Sequence, residues 1–229
     1  MLINEIFSSI DGEGIRTGYP VTFIRSYGCN LLCSYCDTLY AVKPETEQDK
    51  QNAFKEMSVD EILEECKKLG NRRITFTGGE PLIQKDAKKL ISKLTLNDYE
   101  VNIETNGAVD LETFLTLDTD NLIERDNLII TMDWKSPSSG MRNKMILNNI
   151  KLLSFKDVLK FVVGSKQDLD DMYSIVMKYK PFCEIFVSPV FGEIEPKEIV
   201  EYILNNNLQQ VRVQLQLHKI IYPIDMRGV

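Results

Sequence analysis

Seven short β-rich runs punctuate this chain, and a helical pattern lies between each neighbouring pair. The strand candidates are Val21–Tyr27, Arg73–Thr77, Glu100–Thr105, Asn127–Trp134, Asp157–Val163, Glu184–Ser188 and Val211–Leu217. Between them fall helical patterns over Val59–Leu69, Lys85–Leu96, Leu111–Leu117, Arg142–Ile150, Asp168–Lys178 and Pro196–Asn206. Ser58 and Glu61 form a capping box that starts the first helix. Strict strand–helix alternation predicts a parallel sheet built with crossover helices. The polar stretch Lys43–Lys55 has no clear period and reads as a loop or short insertion.

The alternation within the strands narrows the fold further. Thr75 and Thr77 alternate with Ile74 and Phe76, and Asn102 and Glu104 with Val101 and Ile103. Thr131, Asp133 and Lys135 alternate with Ile130, Met132 and Trp134, while Gln214, Gln216 and His218 alternate with Val213, Leu215 and Leu217. An antiparallel sheet with one wet face would show the same pattern. Crossover helices cover a sheet, so the polar face must instead line an interior. The expected fold is α/β: an incomplete, partial TIM-type barrel of parallel strands with outer helices and a wide mouth. Chemistry in such barrels sits at the C-terminal strand ends. Those ends carry Thr77-Gly78-Gly79-Glu80, Glu104-Thr105-Asn106, Lys135-Ser136, Ser188 and His218.

The 229 residues are 43% apolar, enough for one sizeable core, and residues 1–229 read as a single domain. Neither a signal peptide nor a membrane span is visible, so a cytoplasmic location is expected. Lys and Arg number 27 against 34 Asp and Glu, giving −7. No basic stripe marks a nucleic-acid binder, so neither nucleic acid nor membrane is an expected partner. A small anionic substrate must then be met by individually placed cations.

Three of the five cysteines fall within eight residues, as Cys29-x3-Cys33-x2-Cys36. Such crowding on one loop indicates metal or redox chemistry rather than a disulfide framework. Cys66 and Cys183 read as inert, buried thiols. A structural zinc site takes four closed ligands, and no fourth is near; His218, the one histidine, is far along the chain. A cuboidal iron–sulfur cluster on three thiolates keeps one iron open.

C-x3-C-x2-C after the first strand, with Thr77-Gly78-Gly79-Glu80-Pro81 after the second, resembles the radical S-adenosylmethionine superfamily. The finer resemblance, over nearly the whole chain, is to the 7-carboxy-7-deazaguanine synthase family of queuosine and deazapurine biosynthesis. It rests on Asn4–Phe7, Ser9–Gly14, Phe23–Arg25, Cys36–Thr38, Ile103–Gly107, Asp133–Pro137 and Leu215–Lys219. Members of that family often have glutamine where Asp11 stands.

The resemblance implies a 4Fe–4S cluster on Cys29, Cys33 and Cys36, S-adenosylmethionine and magnesium. It implies conversion of 6-carboxy-5,6,7,8-tetrahydropterin to 7-carboxy-7-deazaguanine by radical ring contraction with loss of ammonia. For S-adenosylmethionine the matching positions are Tyr35, Cys36, Asp37, Gly79, Ser136, Pro137 and Ser138, with Ser188, Pro189, Val190 and Phe191 as weaker matches. For the pterin they are Ile10, Asp11, Gly12, Glu13, Arg25, Thr77, Gln216 and His218. Thr38 matches a magnesium ligand; taken alone, it reads as a hydroxyl capping the turn after Cys36. Arg25 alone reads equally as a carboxylate receptor or an ordinary ion pair. The family pattern further implies a flavodoxin- or ferredoxin-type electron donor and a homodimer. The rival readings are an activating enzyme for a glycyl-radical protein and a non-catalytic iron–sulfur or zinc module.

Overall fold

The computed structural model describes residues 1–43, 53–116, 122–223 and 226–228. Among them, nine strands form one sheet. They are β1 (Leu2–Ile10), β2 (Pro20–Ser26), β3 (Lys55–Glu56), β4 (Arg73–Gly78), β5 (Glu100–Thr105), β6 (Leu128–Lys135), β7 (Val158–Val163), β8 (Glu184–Pro189) and β9 (Val211–Val213). Their spatial order is β3-β1-β2-β4-β5-β6-β7-β8-β9. From β2 onward through β4 to β9 every neighbouring pair is parallel. The ends do not pair with each other, so the barrel is incomplete, as the alternation predicts.

The crossover helices are α1 (Val59–Leu69), α2 (Ala87–Leu96), α3 (Leu111–Leu115), α4 (Asn149–Leu152), α5 (Lys166–Tyr179) and α6 (Pro196–Asn205), and α7 (Leu217–Ile221) follows β9. The capping box at α1 forms with both bonds, and Gly70 closes the helix at φ +74°. Outward-facing Phe76, Ile103, Trp134 and Phe161 are buried beneath this shell. Their inward neighbours in the period-two pattern are polar, apart from Val162. Cys66 lies fully inside the core, and Cys183 packs against it half-buried. Among the described residues no helix is long and apolar enough to cross a membrane.

The structure departs from the expected elements in three places. β1, absent from the seven candidates, is antiparallel to both β2 and β3. It makes the sheet mixed. The helix expected over Arg142–Ile150 is a 3-10 turn at Arg142–Lys144 followed by α4. Tertiary bonds win there: buried Asn149 donates to the carbonyls of Gly107 and Val109 and accepts from Leu111 N. The last strand ends at Val213 rather than Leu217. After one more bond to Val187, the chain leaves β8 for the N-terminal loop, where Gln214 pairs with Gly14 and Leu217 N donates to Gly12 O. Most of Lys43–Lys55, and Leu117, lie outside the described residues.

Candidate active site

A cavity of about 740 Å³ opens at the C-terminal strand ends. Asp11, which lines it, is paired with Arg16, a buried side chain only 6% exposed. Arg16 bonds Asp11 Oδ2 at 2.8 Å, Thr75 Oγ1 at 2.6 Å and the carbonyls of Ile74 and Glu100. The Asp11 side chain is spent on this pair, with Thr75 donating to its other oxygen.

A row of charges lines the cavity. Lys160 Nζ lies 2.8 Å from Glu13 Oε2 and 3.7 Å from Asp133 Oδ1, and Lys135 Nζ lies 2.9 Å from Asp133 Oδ2. Burial alone would discharge both lysines, but the carboxylates, Asp133 foremost, hold their ammonium groups well above the usual range. Glu13 also accepts from Ser188 Oγ and Gln216 Nε2, both at 3.2 Å.

The cysteine loop forms one edge. Cys29, Cys33 and Cys36 are free thiols, and all three line the cavity. Leu31 N and Asn106 Nδ2 point at Cys29 Sγ from 3.4 and 3.5 Å. Burial pushes the Cys29 and Cys33 thiols up, so a metal centre must supply the charge that makes them thiolates. Among the described residues no three His, Cys, Asp or Glu side chains gather as a single-ion site requires. Three thiols on one rim, with N–H donors aimed at sulfur, fit a bulkier iron–sulfur cluster.

Gly78 and Gly79 join this loop to β4. A Cβ on Gly79 would stand 2.0 Å from Gly28 O, and one on Gly78 2.2 Å from Ser26 O. Glycine is needed here for the barrel end to close on the cysteine loop, in addition to any approach to a cofactor. Glu80, fully buried, locks the same corner by accepting from Leu82 N, Thr105 Oγ1 and Asn106 N. Burial pushes its carboxyl up to about 7. Ser136 Oγ, buried just past the end of β6, has no hydrogen-bond partner among the described residues.

Most of the expected site residues meet here: Ile10 to Glu13, Arg25, Tyr35 to Thr38, Thr77, Gly79, Val190, Phe191, Gln216 and His218 line the cavity. Ser136, Pro137, Ser138, Ser188 and Pro189 do not, and Ser188 acts through Glu13. His218 arrives on α7 rather than on a strand end, with Nδ1 where a Gly12 Cβ would lie. Burial lowers its affinity for a proton, so it enters the site as a neutral imidazole. Thr38 makes no capping hydrogen bond; its hydroxyl donates to Asp37 Oδ1 at 3.5 Å and lies 3.8 Å from Cys36 Sγ at the cavity edge. Arg25 donates from Nε to Glu5 at 2.7 Å beside the Phe7 and Tyr40 rings; both terminal nitrogens remain unused among the described residues.

The sequence placed Glu104, Asp133 and Lys135 on the polar interior face without giving them a role, and gave no sign of Lys160. Strand parity marks the first three. Lys160 is hidden in the otherwise apolar Val158–Val163. The rim residues Met226, Arg227 and Gly228 also carried no signal.

The profile of the Radical SAM superfamily matches residues 23–161. The 7-carboxy-7-deazaguanine synthase of Clostridium acetobutylicum is 42% identical over 228 residues, covering 98% of this chain and 97% of its own. The chain belongs to the 7-carboxy-7-deazaguanine synthase family. The family member from Thermoplasma acidophilum is 34% identical over the full length of both chains. Among solved structures, QueE from Escherichia coli has the same fold at a TM-score of 0.68, with 24% identity over 95% of this chain and 94% of its own. Streptococcus suis SuiB bound to S-adenosylmethionine shares the fold at 0.56, with 14% identity over 89% of this chain and 52% of its own. Family membership and the three-thiol rim agree on a radical enzyme with an iron–sulfur cluster and S-adenosylmethionine.

Proposed function

We propose that this synthase-family chain converts 6-carboxy-5,6,7,8-tetrahydropterin to 7-carboxy-7-deazaguanine with loss of ammonia, in queuosine and 7-deazapurine biosynthesis. The observation that carries this reading is one cavity holding both a three-thiol rim and a charged, partly ion-paired wall, in a chain matching its relatives end to end. When bound, the reduced cluster supplies the electron that splits S-adenosylmethionine into methionine and a 5′-deoxyadenosyl radical.

The chain's own residues bind and orient the pterin. Arg25 has two terminal N–H groups to offer the carboxylate, and charge assistance makes such bonds the strong ones. His218, neutral, adds a hydrogen bond rather than charge. Glu13, paired with Lys160 at 2.8 Å, accepts from the N–H edge of the pyrimidine ring beside the backbone of Ile10 to Gly12. Gln216 and Thr77 complete the polar wall. Tyr35 to Asp37, Gly79, Val190 and Phe191 form the S-adenosylmethionine side of the cavity, and Ser136 to Ser138, Ser188 and Pro189 support it from outside the lining.

Magnesium belongs to the same proposal. Thr38 offers one hydroxyl, held only by long contacts to Asp37 Oδ1 at 3.5 Å and Cys36 Sγ at 3.8 Å, so a hard cation there takes its other ligands from substrate and water. A flavodoxin- or ferredoxin-type donor fits the cysteine loop, whose Leu32 is exposed beside Cys33. The family resemblance supports a homodimer and a cytoplasmic location.

Anaerobic turnover tests the reading. Reconstituted protein given S-adenosylmethionine, reductant and the carboxypterin should release one ammonia per 7-carboxy-7-deazaguanine, faster with magnesium than after chelation. No product from cluster-loaded protein would leave the glycyl-radical activase as the better reading.

A further inference from the structure

Asn4 and Glu5 open the first stretch that carries the family resemblance, yet neither lines the cavity. The sheet treats them unusually. β1 and β2 pair Ile3 with Ser26 and next Glu5 with Arg25, so β1 inserts one extra residue, Asn4. This is a β-bulge, a device that re-aims side chains beside functional sites. Asn4 is held there by donating from Nδ2 to Ala53 O at 2.6 Å. In an unbroken ladder Asn4 would stand opposite Arg25; the bulge puts Glu5 there instead. From Glu5 the register runs on regularly through Phe7 and Phe23, whose rings stack at 5.1 Å.

Glu5 so placed holds two neighbours at once. Its Oε1 accepts from Arg25 Nε at 2.7 Å and from the Tyr40 hydroxyl at 3.1 Å. The Arg25 and Glu5 side chains are 13% and 23% exposed, so water screens the pair only in part. Burial, opposed by Arg25 and reinforced by Glu5, pushes the Tyr40 hydroxyl up to about 12, and it stays a donor at neutral pH. The centres of the Phe7 and Tyr40 rings lie 5.7 and 5.9 Å from the guanidinium carbon and limit how its plane can turn.

A guanidinium can grip a carboxylate by either of two edges, one of which includes Nε. Glu5 takes that edge. The other, formed by the two terminal nitrogens, is left for a ligand, and Arg25 lines the cavity. We propose that Glu5 is a positioning residue for substrate recognition: set by the bulge and joined by Tyr40, it fixes Arg25 so that both terminal nitrogens meet the pterin carboxylate together. Glu5 thereby governs how well the site tells a carboxypterin from a pterin without the carboxylate. The assignment rests on the carboxypterin reading above.

Anaerobic calorimetry on cluster-loaded, unreduced protein tests it with two ligands, 6-carboxy-5,6,7,8-tetrahydropterin and 5,6,7,8-tetrahydropterin, which lacks the carboxylate. The unmutated protein should prefer the first. In Glu5→Ala, affinity for the carboxypterin should fall by about 10- to 100-fold, the worth of one charge-assisted hydrogen bond. The plain pterin should bind that variant as it binds the unmutated protein. Glu5→Gln should recover most of the loss, because the amide oxygen can accept both bonds. Tyr40→Phe keeps the ring and should show the same selective loss, at about 2- to 10-fold, even where Glu5→Ala fails to fold. In an Arg25→Gln background, Glu5→Ala should cost nothing further. Equal loss of both ligands would overturn the assignment and leave Glu5 a structural residue. So would a full loss added on top of Arg25→Gln, or no discrimination between the ligands by the unmutated protein. If the unmutated protein binds neither ligand, the carboxypterin reading fails and the assignment falls with it.

Discussion

The two sides of the cavity are held together by different means. On the cysteine side, backbone packs on backbone: Gly28 N bonds Ala41 O, Gly79 N bonds Ser26 O, and Glu80 N bonds Gly28 O, all within 3.1 Å. On the opposite side, side chains do most of the joining. Lys160 reaches Glu13, Gln214 reaches Gly14, and Lys219 reaches Asp37. A cluster must sit at a fixed place relative to its cofactor, and a backbone-packed corner has few ways to move. A substrate wall has to complement one small molecule, which side-chain chemistry does best.

Breaking the charged wall should give the largest stability effect. Lys160→Met leaves Glu13 and Asp133 without their shared cation in a site where Lys160 is only 6% exposed. Losing one partner of a buried pair costs about 3–5 kcal/mol. Denaturant unfolding of cluster-loaded protein should show that loss, and adding Glu13→Gln should recover part of it. A loss below about 1 kcal/mol would mean that solvent already screens the row.

The backbone corner should respond less in stability and more in metal content. Gly79→Ala forces its methyl against Gly28 O, a contact only backbone movement can relieve. Overpacking of this kind costs about 1–3 kcal/mol. Because the shift falls on the cysteine loop, iron retention after desalting should drop while the far side keeps its fold. Full iron content in this variant would show that the loop is not held by the glycine corner.

The smallest effect should come from the rim. Gln214 bonds both the N–H and the carbonyl of Gly14 and the Thr17 hydroxyl, tying β9 to the loop that carries Glu13. Gln214→Ala should cost about 1 kcal/mol of stability, the ordinary net worth of such bonds. It should raise KM for the carboxypterin more than it lowers kcat. Equal changes in both would place Gln214 in the chemistry rather than in positioning.

The same contrast decides what could be read from the chain. The cysteine spacing and the Gly78-Gly79 pair are local, and so were legible as motifs. The polar faces of β4, β5 and β6 were legible from period-two alternation, which led to the incomplete barrel and its mouth. Lys160 was not, because one lysine among five apolar neighbours carries no period. Gln214 and Gly14, 200 residues apart, show nothing of their pairing until the chain folds. The β9 pattern overran for a related reason: its alternation continues past Val213 while its partner changes. Asn149 likewise broke a helical pattern through bonds to residues forty positions away.

An open-iron cluster on Cys29, Cys33 and Cys36 is what the rest of the site is built around, and paramagnetic resonance with metal analysis detects it. Anaerobically prepared, reduced protein should contain about four irons per chain and give a cluster signal that changes when S-adenosylmethionine is added. Each of Cys29→Ala, Cys33→Ala and Cys36→Ala should abolish that change, while Cys66→Ala and Cys183→Ala should preserve it. A stoichiometric zinc ion in place of iron, or a cluster signal indifferent to S-adenosylmethionine, would contradict it.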